Sequence, residues 1–336
     1  MKVRLLTVLN ILFTCCILFP AVLTTASEPI RVIFDSDMGS DVDDGLALSE
    51  LHALANRGAV EILAETSSNG HPFVPRYLRM LNSYYGRASI PVGMAVDPPN
   101  VLESNHMGPT LDQLEKILVT NPDLPAPEEP AVPLLRRTLA ESPDKSVTVI
   151  MTGFATNLGG LLDSPADSIS PFTGKELIAQ KVSVLYCIAG NFIDELKDHV
   201  ENNIRFDIPA ARRVADDWPT PIIWSGCENG RKMIFSREFL ERAFATMPNS
   251  PAYLSCMFYG VPYMALWDLL PPLYLVSPDL FRLSEPGRVT IREDGTCYFT
   301  PEENGRDRHI MFLNDEESAA VTEAYRWLVS EPPIYR

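Results

Sequence analysis

Five aspartates fall within ten residues, Asp35-Ser-Asp-Met-Gly-Ser-Asp-Val-Asp-Asp44. Carboxylates at that density repel one another unless some are protonated or a cation lies among them. Hard cations with all-oxygen shells suit such a donor set. A cation there would lower the pKa of a bound water, and a neighbouring aspartate would accept its proton near neutral pH. The spacing does not fit an EF-hand, which needs glycine sixth and glutamate twelfth. Counted from Asp35, those places hold Ser40 and Leu46.

The elements that must position this cluster are legible on both sides of it. Ile30-Arg-Val-Ile-Phe34 reads as a short buried strand, and Gly45 to Ala55, with leucines at 46, 48, 51 and 54, as an amphipathic helix. The aspartates therefore lie at the carboxyl end of a strand, where open α/β sheets place their ligands. Further β-type runs at 60–66, 90–94, 146–151, 182–188 and 221–225 alternate with helical segments, including one over 76–85. That alternation predicts an α/β fold, a mostly parallel sheet flanked by helices. Segment 97–133, rich in proline and acid, is expected to be a surface insertion. A hairpin is predicted around Glu293-Asp-Gly-Thr296, and a closing helix over 318–329.

The first 26 residues have the pattern of a secretory signal: Lys2 and Arg4, an apolar run from Leu5 to Leu18, Pro20, and small residues up to Ala26. Removal would leave residues 27–336 as one expected domain, exported to the periplasm or outside the cell, with no stable membrane insertion. It would also take the net charge from −16 to −18, since two positive charges and no negative ones are lost. Such acidity argues against nucleic acid as a partner, because phosphate contacts need clustered Lys and Arg. Cys187, Cys227, Cys256 and Cys297 would remain; Cys187 reads as a buried free thiol, and pairing of the others is not readable.

Phe34-Asp-Ser-Asp-Met-Gly-Ser-Asp-Val-Asp-Asp44 resembles the calcium-binding turn of the inosine–uridine nucleoside hydrolase family. Three later segments resemble that family in the same order: Met151-Thr-Gly-Phe-Ala-Thr-Asn157, Glu201-Asn-Asn-Ile204 with Asp207-Ile-Pro-Ala-Ala211, and Trp267-Asp268. The resemblance implies a Rossmann-like fold, Ca2+ as cofactor, hydrolysis of a nucleoside or related ribosyl small molecule, and a homo-oligomer. It further implies that Asp37, Asp44, the Thr156 carbonyl and Asp268 ligate the metal, with Asp37 also the general base. Asp43, Asn69, Glu201 and Asn203 would hold the ribose, the last two at its 5′ end. Trp267 would stack on the leaving base, and His106 would supply its proton. The turn departs from the family in having three residues, Ser40-Asp-Val42, between Gly39 and the aspartate pair, so Asp41 is placed to share their work. Trp267 stands where some members have histidine.

Other readings attach to the same residues. An aspartate pair at a helix start is an ordinary cap. Asp35 in an Asp-x-Asp after a strand is the nucleophile's place in magnesium-dependent phosphatases. A non-catalytic ribosyl-binding protein, or a hydrolase of another glycosyl bond, would keep the sugar contacts. His52, His71, His199 and His309 lack metal spacing and read as structural or surface residues.

Overall fold

The computed structural model describes residues 28–98, 106–118, 129–311 and 313–334; the predicted signal and its cleavage point near Ala26 lie outside the described residues. Twelve strands follow in chain order: β1 (Ile30–Ser36), β2 (Val60–Ser67), β3 (Val92–Met94), β4 (Glu129–Pro130), β5 (Val147–Met151), β6 (Val182–Ile188), β7 (Ile222–Ser225), β8 (Ile234–Ser236), β9 (Tyr263–Ala265), β10 (Gly287–Ile291), β11 (Cys297–Pro301) and β12 (Asp307–His309). Ten of them form one sheet in the order β11-β10-β12-β7-β6-β5-β1-β2-β3-β4. From β12 to β4 every pairing is parallel, and only β10 pairs antiparallel, with β11 and β12. The mostly parallel, helix-flanked sheet expected from the alternation is therefore present.

From β1 the chain winds outward through β2, β3 and β4, then returns to the other side of β1 to add β5, β6 and β7. The reversal lies between β1 and β5, and at such a switch point the loops leaving the two strands diverge and open a crevice. The sequence of β1 suits this central place. Val32 and Phe34 enter one apolar cluster and Ile33 the other, so both faces are covered and the strand is a continuous apolar run.

The helix Asp43–Asn56 departs from the amphipathic expectation: every residue from Asp43 to Leu54 is buried. Leu46 and Leu48 lie on opposite sides of a 3.6-residue turn, so the leucines never formed a single stripe. The helix packs against β2 and the helices 251–259, 270–276 and 315–329. The insertion also differs from its description as surface. Within 97–133, Met107, Leu111 and Leu114 are buried at helical spacing and seat the helix Gly108–Leu118 on the helix 251–259. Residues 99–105 and 119–128 lie outside the described residues. The hairpin and the closing helix, Asp315–Val329, form as expected. Among the described residues, Cys187, Cys227, Cys256 and Cys297 are all buried and free. Among the described residues, no helix is long and apolar enough to cross a membrane.

Behind β2 a buried polar chain links Glu65, Asn82 and His52: Asn82 Nδ2 donates to Glu65 Oε2 at 2.9 Å, and its Oδ1 meets His52 Nε2 at 2.9 Å. Burial, with the charge of Arg87, pushes His52 down to about 3, and burial pushes Glu65 up to about 8. The folded state thus binds fewer protons at His52 than the unfolded chain, and stability falls as pH drops from 6.5 toward 3. Glu65 acts oppositely: its contribution is full below 4.5 and is lost as pH rises toward 8. Urea unfolding between pH 6.5 and 8 is therefore expected to show stability falling with pH in the wild type and less steeply in Glu65→Gln. Equal slopes would contradict this assignment.

Candidate active site

The carboxyl ends of β1 and β5 place the acidic turn in the crevice. Backbone bonds from Ser68 N to Ser36 O (2.8 Å) and from Thr152 N to Asp35 O (2.8 Å) tie the end of β1 to both neighbours. Asp37 is the first residue beyond the strand. Gly39, at φ +107°, then reverses the chain in a conformation that L side chains resist. Gly153 lets the backbones approach: a Cβ there would lie 2.3 Å from Asp37 N.

Each acidic side chain has a defined hold. Asp43 Oδ2 accepts from the backbone N–H groups of Trp267 (2.8 Å) and Asp268 (3.2 Å), which pins that distant loop beside the turn. Asp44 Oδ1 accepts from Thr152 Oγ1 at 3.1 Å, while its Oδ2 is buried without a partner. Glu201 caps the short helix Asn202–Arg205: Oε1 accepts from Asn203 N and Oε2 from Ile204 N, with Gly190 N a further donor to Oε2. Asn203 Nδ2 donates to the carbonyls of Thr152 (2.7 Å) and Ile188 (2.9 Å), bridging the ends of β5 and β6.

Burial and mutual repulsion raise these carboxyl groups together. Asp37 is pushed up to about 7 by burial, with Asp41 and Glu201 adding repulsion against a hydrogen bond to Ser40. Burial likewise raises Asp43, Asp44 and Asp268 well above the ordinary range, and their neighbouring aspartates reinforce it. Burial raises Glu201 less, to about 6, because backbone N–H groups favour its charged form. Among the described residues no three His, Cys, Asp or Glu side chains stand at the spacing of a formed metal centre. The donor set nevertheless fits a hard divalent cation. It is all oxygen, it converges from the turn, β5 and the 267–268 loop, and Asp44 Oδ2 is a buried acceptor in need of a positive partner.

Asp37, Asp43, Glu201, Asn203, Trp267, Asp268 and His106 line one pocket, as do Asp41 and Thr152. Asp44 is fully buried beside them. Two expected residues lie elsewhere. Thr156 begins the helix Thr156–Asp163 outside the pocket lining, and its hydroxyl donates to Asp207 Oδ2 at 2.6 Å. β5 ends at Met151, so Thr152, four residues earlier, is the threonine that emerges at the crevice. Asn69 is buried behind the turn, where its Oδ1 accepts from His71 N at 2.9 Å and its Nδ2 lies 3.5 Å from Ser40 Oγ; it supports the turn and does not line the pocket. Asp35 is also outside the lining: its Oδ1 accepts from Thr66 Oγ1 and Asn157 Nδ2 in full burial, which disfavours a phosphatase nucleophile there.

Trp267 is fixed in place. Its Nε1 donates to Cys227 O at 2.9 Å, and its ring lies against Gly230, where a Cβ would come within 2.0 Å. Sequence reasoning missed that Arg231 and His199 line the pocket; His199, read as structural or surface, is exposed at it. Their nearness to the carboxyl ends of β6 and β7 was the available signal.

A family model described as inosine-uridine preferring nucleoside hydrolase matches residues 32–323. No curated protein matches the chain. Among solved structures, a plant nucleoside hydrolase superposes with TM-score 0.69 at 18% identity, covering 90% of this chain and 100% of the other. An inosine-uridine preferring nucleoside hydrolase from Bacillus anthracis gives 0.67 at 17%, with 89% and 99% covered. The type III effector XopQ, solved with adenosine diphosphate ribose, gives 0.65 at 15%, with 91% and 95% covered.

Proposed function

The chain belongs to the inosine-uridine preferring nucleoside hydrolase family, and on that premise we propose that it hydrolyses the N-glycosidic bond of ribonucleosides to ribose and free base, with calcium as cofactor. The observation that carries this is the convergence of Asp37, Asp43, Asp268, Glu201 and Asn203 on one pocket at the switch point. After export, residues 27–336 would form the working unit, as a homo-oligomer.

Asp37, Asp44, Asp268 and the carbonyl of Thr152, in place of Thr156, would hold the cation. When bound, calcium would supply Lewis acidity to a water and a template for the ribose diol. Asp43 keeps Oδ1 for a ribose hydroxyl, since Oδ2 is taken by two backbone donors. Glu201 and Asn203 orient the sugar at its other end. In the reaction the C1′–N bond breaks and a C1′–O bond to water forms. Asp37 takes the water proton, and the departing base gains one. Negative charge around C1′ favours the oxocarbenium-like transition state. His106, exposed at the pocket mouth near Asp41, is the proposed proton donor to the base.

Trp267 would stack on a purine. Aromatic stacking is worth about 0.5–1.5 kcal/mol, so Trp267→Ala should lower kcat/KM for inosine roughly 2- to 12-fold and for uridine less. An equal loss on both would remove its proposed role in base preference. The alternative on the same fold is a non-catalytic ribosyl-binding role, which would keep the sugar contacts and show no turnover. Chromatography of a nucleoside panel incubated with residues 27–336 decides between the two. Equal release of base and ribose is expected, whereas binding without release would establish the second reading.

A further inference from the structure

The Glu201 end of the pocket carries positive charge for which a neutral nucleoside has no use. Arg231 follows the short helix Cys227–Gly230 beyond β7, and His199 lies two residues before Glu201; both line the pocket and both are exposed. They are close enough that the Arg231 guanidinium, after burial, is the largest influence holding the His199 pKa down. Several other arginines of this acidic chain are tied to carboxylates, as Arg136 is to Asp167 and Arg137 to Glu129. Among the described residues Arg231 forms no ion pair or side-chain hydrogen bond. Its nearest acid in sequence is Glu228, a buried residue whose Oε1 accepts from Phe192 N and whose Oε2 has no partner among the described residues; the charge of Arg231 acts on it without a formed ion pair.

We propose that the substrate carries a phosphate on the ribose 5′ oxygen, bound by Arg231 and His199 just beyond Glu201 and Asn203. This rests on the ribosyl-hydrolase reading above and narrows its substrate class. A guanidinium presents paired donors that match phosphate oxygens, and an imidazole adds another donor. The base is left the Trp267 ring, which borders the same short helix, and the side of His106 near Asp41. The reaction is unchanged in kind. Water adds hydroxyl to C1′ as the C1′–N bond breaks, the base leaves with a proton, and the phosphate ester stays intact, giving ribose 5-phosphate from a monophosphate and a diphosphate-bridged pair of riboses from adenosine diphosphate ribose.

The test compares kcat/KM for inosine, inosine 5′-monophosphate and adenosine diphosphate ribose, in the wild type and in Arg231→Gln, Arg231→Lys and His199→Gln. The wild type should prefer a 5′-phosphorylated compound. Arg231→Gln should lower the phosphorylated-to-free ratio roughly 10- to 100-fold, mainly through KM, with partial retention in Arg231→Lys. The monophosphate and diphosphate arms separate the two sources of the phosphate. Preference for inosine in the wild type would overturn the proposal while leaving the hydrolase reading standing. So would an equal loss on all substrates in Arg231→Gln, which would mean that Arg231 only offsets Glu228. If no compound is cleaved, the hydrolase reading itself fails. Calorimetry then decides the phosphate site: tighter binding of ribose 5-phosphate than ribose, lost in Arg231→Gln, supports it, and equal binding overturns it.

Discussion

Replacing Asp37 with alanine is expected to reduce kcat for base release by at least about 10²–10⁴-fold, the range for removing a general base, and by more because a proposed cation ligand goes with it. Asp37→Asn separates the two losses, since the amide keeps an oxygen donor but cannot take a proton. It should still bind calcium while turnover stays low. Stability should not fall in either variant. Asp37 is 5% exposed, and burial with repulsion from Asp41 and Glu201 raises its pKa, so its charged form is a burden on the fold. Full activity in Asp37→Asn would remove Asp37 from the role of base. A large drop in melting temperature would assign it a structural role instead.

Gly153→Ala is expected to cost nearly as much without touching a reacting group. The added Cβ would lie 2.3 Å from Asp37 N and 2.5 Å from Ser36 C, both backbone atoms that have no rotamer to yield. Either β1 and β5 separate at the switch point or the turn carrying Asp37 moves. Overpacking of this kind costs about 1–3 kcal/mol of stability. A displacement of about 1 Å at the reacting centre costs roughly 10²-fold in rate. Paired measurements of melting temperature and kcat should show both losses. Activity within twofold of wild type would mean that the crevice is more compliant than its contacts indicate.

The legible parts of the sequence were those in which one local pattern determines one local outcome. The apolar run before Asp35 and the dense aspartates after it located the strand end and the turn, and the βα alternation gave the parallel sheet. Trp267 and Asp268 were found by resemblance alone. The bond that brings them to Asp43 spans more than two hundred residues, and nothing local records it. Thr156 was named from the resemblance, and the structure brings Thr152 to the pocket instead, for a related reason. Which threonine emerges depends on where β5 stops, which register against β1 and β6 decides. Asn69 follows β2 as a ligand-binding residue would, yet it turns inward to support the acidic loop. The helix 43–56 carries Leu46 and Leu48 on opposite sides of one turn, which suits burial all round and not a single apolar face. Arg231 went unnoticed because a lone arginine after a strand has no pattern of its own.

The central claim is that the acidic crevice is a cation-dependent hydrolytic centre. The most direct measurement is reducing-sugar release from inosine and uridine by residues 27–336, stripped with chelator and then titrated with calcium. Sugar release that is absent after stripping and rises with calcium to saturation is the predicted result. No release at any calcium concentration, with calorimetry showing the ion bound, would contradict it.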